Sequence, residues 1–483
     1  MTTRGTTLLK IAVAFFILLK LAYGIFVPPN GDESYYWLWG GHLQLSYYDH
    51  GPMVGWASAI ARALLGWTPM GLHFPAFASF LVLAYVFHRA SRWLAPERPE
   101  HYFWTCLLIF SASPLLNALT TLNYPDHLLI CFASIALLQL GKFLNGVLDN
   151  NERPADLYLG AFFLGLAGLS KYSAVFIPAG LLIALIAAPR LRPLFRSRHL
   201  YLAGALCLVI VSPVIIWNIQ NHFATVELHA ADRLYTRTDL FSPESLGRLV
   251  MLSIIEVSPF IMWGFGKFVF GRPADPHQTG LIMLLRGTAI VSTLFFVPLS
   301  AWAAIGRQVA PHWLVLSFLP FLLVAPLYVR SRVIITLHAI WGALVVGLVA
   351  AYFVSAPLLT GTLGMSDGEA SRTFGQEQLG AAVAAAAREH GADLLISINY
   401  TNASRLAFGM GTDAGISDFG GRVDRLVGRN FADYAGKTAI LIGKQDYYAD
   451  HFESIEPIGR VDTTRFGKAL LGYDLFVGRG FKP

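Results

Sequence analysis

Long apolar runs alternate with short polar connections along this chain, and most of the runs are long enough to cross a bilayer. A hydrocarbon core about 30 Å thick takes roughly 20 residues of helix, and lipid offers the backbone no hydrogen-bond partner outside the helix itself. By that rule spans fall near 7–27, 73–94, 101–119, 124–141, 157–170, 172–189, 200–219, 247–266, 285–304, 312–329 and 333–355, about eleven crossings. The pair 157–170 and 172–189 is short and interrupted by Gly165, Gly168 and Pro178, so a re-entrant hairpin is the alternative there; either form returns both ends to the same side. The first run has no small-x-small cleavage pattern before Pro28 and Pro29 and reads as a retained signal anchor.

Basic residues test this topology independently, because every second connection should carry them. Arg4; Arg89, Arg92 and Arg98; Lys142 and Arg153; Arg190, Arg192, Arg196 and Arg198; Lys267, Arg272 and Arg286; and Arg330 and Arg332 all fall on one side. The opposite connections hold fewer, chiefly Arg62, Lys171, Arg233, Arg237 and Arg307. The alternation places the last span so that everything beyond it is extracytoplasmic. The expected organisation is a polytopic α-helical membrane domain over 1–355 and a small extracytoplasmic α/β domain over 356–483. In that tail Gln376–His390 is Ala-rich and helical by propensity, while Leu394–Ile398, Thr438–Ile442 and Leu470–Val477 have the pattern of strands.

Composition sharpens the picture. Hydrophobic residues fill 55% of the 483 positions and charged residues only 14%, far below the quarter or so usual in soluble chains. The net charge of +6 would suit nucleic acid if it were gathered in a patch, but the basic residues sit in short clusters between apolar runs, as topology signals do. Cys106, Cys131 and Cys207 each lie inside an apolar run, which excludes a disulfide framework and a thiolate metal site. The tail has no phosphate-binding glycine loop.

Candidate chemistry lies in the outer loops. The first reads Gly31-Asp32-Glu33-Ser34-Tyr35-Tyr36-Trp37-Leu38-Trp39 and then Tyr47-Tyr48-Asp49-His50-Gly51-Pro52. Interfacial Tyr and Trp account for its rings, but not for its acids. Met53–Leu65 is too short to span and reads as an interfacial helix that folds the loop back on the membrane, where partial desolvation makes a carboxylate a better base. Asp126 opens the next outer helix; Lys171 stands between Ser170 and Tyr172; the third loop holds Trp217, Asn218, His222, Glu227, His229, Asp232, Arg233 and Arg237; the fourth holds Arg307 and His312. An N-cap explains a lone Asp126, and snorkelling explains a lone Lys171. Pooled on one side, these groups combine carboxylates for base work with cations that grip a phosphate.

Asp32-Glu33 after the first span, followed by Tyr-Tyr-Asp-His-Gly-Pro, resembles the first loop of the GT-C glycosyltransferases of family 39. That group includes protein O-mannosyltransferases, aminoarabinose transferases and the rhizobial galacturonic acid transferases of lipid A and core. Asp126, Ser170-Lys171-Tyr172, Trp217-Asn218 and the Gly306–Trp313 loop extend the resemblance, which covers 1–355. The resemblance implies a GT-C fold and inverting transfer of a sugar from a polyprenyl-phosphate donor to an envelope acceptor on the periplasmic side of the bacterial inner membrane. It implies Asp32 as general base, with Glu33 and Asp126 as further catalytic acids, and Lys171, Arg233 and His50 at the donor phosphate. Tyr48, Asp49 and His312 would contact sugar or acceptor. No cofactor is required, and a divalent metal at Asp32, Asp49 and Asp126 is compatible with the pattern. His50 stands where the aminoarabinose enzymes commonly have lysine, and Gly51 where they have proline, which argues against aminoarabinose as the sugar. The expected acceptor is lipid A, core or another glycolipid; protein hydroxyls, and a lipid or sugar transporter in place of an enzyme, are the alternatives. Charges at span ends and the lack of a repeated half speak against the transporter.

Overall fold

Prolines set where many of the helices begin. Among the described residues α4 to α8 and α12 each open on one, a position where the missing N–H has no helical partner to lose. The computed structural model of the chain describes residues 3–228, 243–271, 278–305, 311–358 and 368–482. Its first sixteen helices are α1 (Thr3–Phe26), α2 (Gly31–Trp39), α3 (Met53–Leu65), α4 (Pro69–Leu94), α5 (Pro99–Ala112), α6 (Pro114–Leu119), α7 (Pro125–Leu148) and α8 (Pro154–Ser170); then α9 (Phe176–Ala187), α10 (Arg198–Gln220), α11 (Ala224–Glu227), α12 (Pro243–Val257), α13 (Met262–Phe270), α14 (Thr279–Ile305), α15 (Val315–Tyr328) and α16 (Arg332–Ser355).

Six of these, α1, α4, α7, α10, α14 and α16, are long and apolar enough to cross a membrane, and the count rises to 8 if each of two bent pairs is one span. The bent pairs are Tyr172–Ala187 with Pro189–Arg196, at 116°, and Pro243–Val257 with Pro259–Phe270, at 73°. The expected crossing at 101–119 is two helices, α5 and α6, interrupted at Ser113 before Pro114. α8 ends at Ser170 and α9 follows a 3-10 turn over Tyr172–Val175, so the break foreseen near Lys171 is real. α3 covers Met53–Leu65 as the short helix expected there.

By packing, the chain forms two compact units. The first comprises Met1–Lys20, Leu45–Met53 and Ala76–Gly347; the second comprises Leu21–Gln44, Val54–Pro75 and Leu348–Pro483. In the first, one continuous apolar core runs through α5, α7, α14 and α15. Small residues let its helices close up: a Cβ at Gly180 of α9 would stand 2.4 Å from the Thr288 backbone nitrogen of α14. Without a water-driven attraction inside a bilayer, such close backbone contact is a main source of helix association. Buried polar side chains are spent on broken helix ends. His338 bonds the Ile109 carbonyl at 2.9 Å, and the Lys20 ammonium donates to Asn117 O at 3.0 Å, Thr120 Oγ1 at 3.0 Å and Thr121 Oγ1 at 2.7 Å, holding the end of α6.

In the second unit, the segment expected to be loop at 31–39 is a helix. Asn30 is its N-cap, accepting from Glu33 N, while Glu33 Oε2 accepts from Asn30 N, a complete capping box. α2 lies on the helix Tyr400–Met410, and a Cβ at Gly31 would fall 2.5 Å from Thr401 Cβ, so only glycine allows that approach. Trp37, Ala61 and Leu72 form a small buried cluster capped by Trp67 and Phe408. The tail folds as a five-stranded sheet of order β2-β1-β3-β5-β4, built from β1 (Leu394–Ser397), β2 (Ile416–Ser417), β3 (Ala439–Ile442), β4 (Phe452–Arg465) and β5 (Lys468–Phe481). β1 pairs in parallel with β2 and β3, while β5 runs antiparallel to β3 and β4. The β4–β5 hairpin turns through Phe466 and Gly467, both at positive φ, the geometry that matches strand twist. The expected helix over Gln376–His390 and three of the five strands are present; β2 and β4 are additions.

A second tie within this unit titrates. Asp413 Oδ2 accepts from His42 Nε2 at 3.0 Å and lies 3.8 Å from Arg62 Nη1. The hydrogen bond from His42, with the Arg62 charge nearby, holds the Asp413 carboxyl below its usual range against the opposing effect of burial. A depressed folded value means stabilisation present at neutral pH and lost as pH falls through that value. Asp413→Asn should therefore lower the unfolding temperature at pH 7, with the gap from the parent closing below about pH 4, as followed by thermal scans across pH. A gap that stays constant down to about pH 3 would remove the ionised carboxylate as its cause.

Candidate active site

Lys171 and Asp126 are brought together by the ends of two helices. Asp126 sits in the first turn of α7 and Lys171 at the C-cap of α8, so each charge occupies the helix end whose dipole favours it. The Lys171 ammonium donates to both carboxylate oxygens, at 2.7 and 2.9 Å, and the Asp126 side chain is only 3% exposed. An ammonium has three N–H donors, so one remains for a further acceptor. Next to Asp126, the His127 ring bonds Ser79 Oγ at 2.8 Å and lies 3.3 Å from Asn123 Oδ1, fixing the turn that leads into α7.

The segment 45–53 is folded against the end of α8 in the same unit. A Cβ at Gly51 would stand 2.1 Å from the Leu169 carbonyl oxygen, a backbone clash that no side-chain movement relieves. Glycine at this position is therefore required by the approach of the turn to the residues just before Lys171. Tyr172 reaches Ser46 Oγ at 3.4 Å, and Thr225 Oγ1 donates to the Tyr47 carbonyl at 3.3 Å. These contacts carry Tyr48, Asp49 and His50 in a tight turn, with Asp49 buried and the other two half-buried. His312 is described at the start of the turn before α15, half-buried and ring to ring with Trp313. Arg233 lies outside the described residues, as do Asp232, Arg237 and Arg307.

Asp32 belongs to the second unit, in the first turn of α2, where it is half-buried. Its Oδ1 accepts from the Tyr400 hydroxyl at 2.8 Å. Tyr400 is itself clamped: the Tyr35 ring meets it edge-on at 5.1 Å, and the Arg422 guanidinium lies over it at 4.4 Å. Among the described residues nothing donates to Asp32 Oδ2, so one oxygen is held and the other remains to accept a proton. A tail tyrosine on a first-loop acid has no local sequence signal, since 368 residues separate the two.

Glu33 has a different setting from the one its sequence position suggests. It is fully buried, with Oε1 at 3.2 Å from His73 Nε2 and Oε2 in the capping box. The His73 Nδ1 faces the Pro69 and Gly24 carbonyls at 2.7 and 3.3 Å. Oε2 thus closes the cap that starts α2 while Oε1 faces His73, a buried setting that ties Glu33 to the placement of α2. The N-x-x-E spacing from Asn30 was the readable signal for this role. Among the described residues no three His, Cys, Asp or Glu side chains gather into a metal-holding group.

Comparison with known proteins follows the same lines. Residues 49–217 match the family model of dolichyl-phosphate-mannose-protein mannosyltransferase. The lipid A galacturonosyltransferase RgtD of Rhizobium johnstonii is 24% identical over 393 residues, covering 76% of this chain and 75% of that protein. The lipopolysaccharide core galacturonosyltransferase RgtB of the same organism is 25% identical over 252 residues, 46% of this chain and 49% of its own length. ArnT from Cupriavidus metallidurans shares the fold across 98% of both chains: the apo structure gives a TM-score of 0.60 at 14% identity, and the structure bound to undecaprenyl phosphate gives 0.62 at 15%. This chain is a multi-span membrane glycosyltransferase with the fold of ArnT, and its residues 49–217 match a mannosyltransferase family model.

Proposed function

We propose that this chain transfers a sugar from a polyprenyl-phosphate donor to lipid A or a related envelope glycolipid, with inversion, on the periplasmic face of the bacterial inner membrane. The observation that carries the reading is the Lys171–Asp126 pair, an ammonium fixed at the end of a membrane helix with one donor to spare for a lipid phosphate. The activity printed for RgtD and the undecaprenyl phosphate bound to ArnT support the acceptor and donor classes. The bias of basic residues toward one set of connections supports that orientation. The division into 1–355 and 356–483 is proposed as an order along the chain, a membrane domain followed by a periplasmic tail.

The chemistry asks little of the protein beyond position and charge. The acceptor oxygen attacks the anomeric carbon, the bond from that carbon to the phosphate oxygen breaks, and its electron pair leaves with the polyprenyl phosphate. Asp32 Oδ2 takes the acceptor proton, a step worth about 100-fold to 10,000-fold. Lys171, with Arg233 and His50, faces the charge that grows on the phosphate. Asp126 positions Lys171; Tyr48, Asp49 and His312 read the sugar and acceptor. Glu33 and His73 act as positioning residues for the helix that carries Asp32. Tyr400 fixes the carboxylate's orientation by holding Oδ1.

Purified protein supplied with polyprenyl-phosphate sugars and lipid A tests the assignments. Asp32→Asn should lower transfer by at least about 100-fold with membrane insertion unchanged, and full activity in that variant would end the base role. Lys171→Ala should raise the donor KM about tenfold, as expected for loss of a charge-assisted contact; an unchanged donor KM would sink the phosphate role. Transfer to a peptide hydroxyl in place of lipid A would shift the reading to protein glycosylation. Tyr400→Phe deletes one oxygen and should lower kcat about tenfold while moving the donor and acceptor KM by less than about twofold, the signature of a misoriented base. The exposed Tyr447→Phe serves as control, and equal kcat in the two would leave Tyr400 without a part in catalysis.

A further inference from the structure

A second cavity lies in the first unit, lined by none of the residues placed at the candidate active site. A cavity of about 700 Å³ opens among the start of α1, the start of α5, the end of α15 and the start of α16. From this end of the first unit, α5 and α6 lead along the chain to the turn before Asp126. Its walls are apolar, with Leu8, Leu327 and Ile335 among them, and its rim carries Arg98, Arg330 and Arg332 with His101; Glu97 is the one carboxylate among its lining residues.

Surface arginines at this end are what topology alone requires, so they prove nothing by themselves. The cavity adds two observations. Among the described residues none of the three arginines is ion-paired; Arg330 Nε caps the Leu327 carbonyl at 3.1 Å, leaving its outer nitrogens available. More telling, Thr105, one of the lining residues, is 2% exposed and its hydroxyl has no hydrogen-bond partner among the described residues. A helical threonine ordinarily bonds the carbonyl one turn back or a neighbour, and a buried hydroxyl without a partner is costly. His101 Nδ1, one turn earlier on α5, is likewise buried and unsatisfied. Two polar groups stacked on one helix face, below a rim of guanidinium groups and between greasy walls, describe the outline of an amphiphile with an anionic head.

We propose that this cavity binds an anionic phospholipid, its phosphate held by Arg98, Arg330 and Arg332, its glycerol oxygens by Thr105 and His101, and an acyl chain along Leu8, Leu327 and Ile335. Basic pockets between membrane helices favour such headgroups through charge and supply the apolar slot their chains need. A free phosphate ion shares the head chemistry but would leave the apolar walls unused.

Native mass spectrometry of the full chain in detergent, titrated with phosphatidylglycerol or with phosphatidylethanolamine of the same acyl chains, tests this. Phosphatidylglycerol should bind at least about tenfold more tightly, and the triple variant Arg98→Gln, Arg330→Gln, Arg332→Gln should lose that preference while the triple lysine variant keeps it. Thr105→Val should weaken phosphatidylglycerol about threefold, the cost of one hydrogen bond, at unchanged unfolding temperature. Equal binding of the two lipids, or unchanged phosphatidylglycerol binding in the triple glutamine variant, would overturn the site. Displacement of phosphatidylglycerol by millimolar inorganic phosphate would overturn the lipid assignment in favour of a soluble anion.

Discussion

The first unit's candidate site depends on one ion pair across two helix ends. Lys171 interrupts the path from α8 to α9 with extended backbone, a conformation that lipid would not tolerate without partners. Its N–H donates to the Ala167 carbonyl and its carbonyl accepts from the Ala174 N–H, while Asp126 holds the ammonium, and each ion stands where its own helix dipole stabilises it. The neighbouring contacts follow from that arrangement. Gly51 lets the turn 45–53 approach Leu169, just ahead of Lys171, and Tyr172, just after it, reaches Ser46. Loss of Asp126 would leave an ammonium, 12% exposed, with its principal acceptor gone, so the site would be disturbed well beyond one side chain.

The second unit is organised by a different device, a capping box. Asn30 and Glu33 start α2 four residues after the end of the first apolar run, and that start fixes where Asp32 falls on the helix. A single residue thereby serves two ends: Glu33 closes the cap with one oxygen and meets His73 with the other. The adjacent acid is left with one oxygen toward Tyr400. Two carboxylates next to each other in sequence thus have different settings, one buried at the helix cap, the other half-buried with one oxygen held by Tyr400.

Much of this was legible in the chain itself. Six of the expected spans, the break at Lys171, the short helix Met53–Leu65 and the helix Gln376–His390 all follow from local pattern, and the structure has them. The helical nature of 31–39 was hidden because its apolar residues are mostly aromatic and interface rings explain those equally well; the cap, rather than the rings, was the informative signal. β4 was hidden for another reason: it is an edge strand with a largely exposed face and a proline at 457, so it lacks alternation. The pairing of Asp126 with Lys171 rests on 45 residues of intervening chain and could be guessed only as shared sidedness.

The Tyr400–Asp32 bond lay beyond any reading of pattern, and it changes what the tail is for. A binding module attached to a finished enzyme would be dispensable for the chemistry of its host. Here residues from 21–44 and 54–75 fold with 348–483 as one unit, Gly31 is shaped to fit Thr401, and Asp413 ties to His42 and Arg62. The helix bearing the candidate base is therefore part of the tail's own packing, reached from the opposite end of the chain. Selection on the tail's fold and selection on the position of Asp32 act on the same contacts, which is a physical reason for a membrane enzyme of this kind to keep a sheet domain that holds no nucleotide-binding glycine loop of its own.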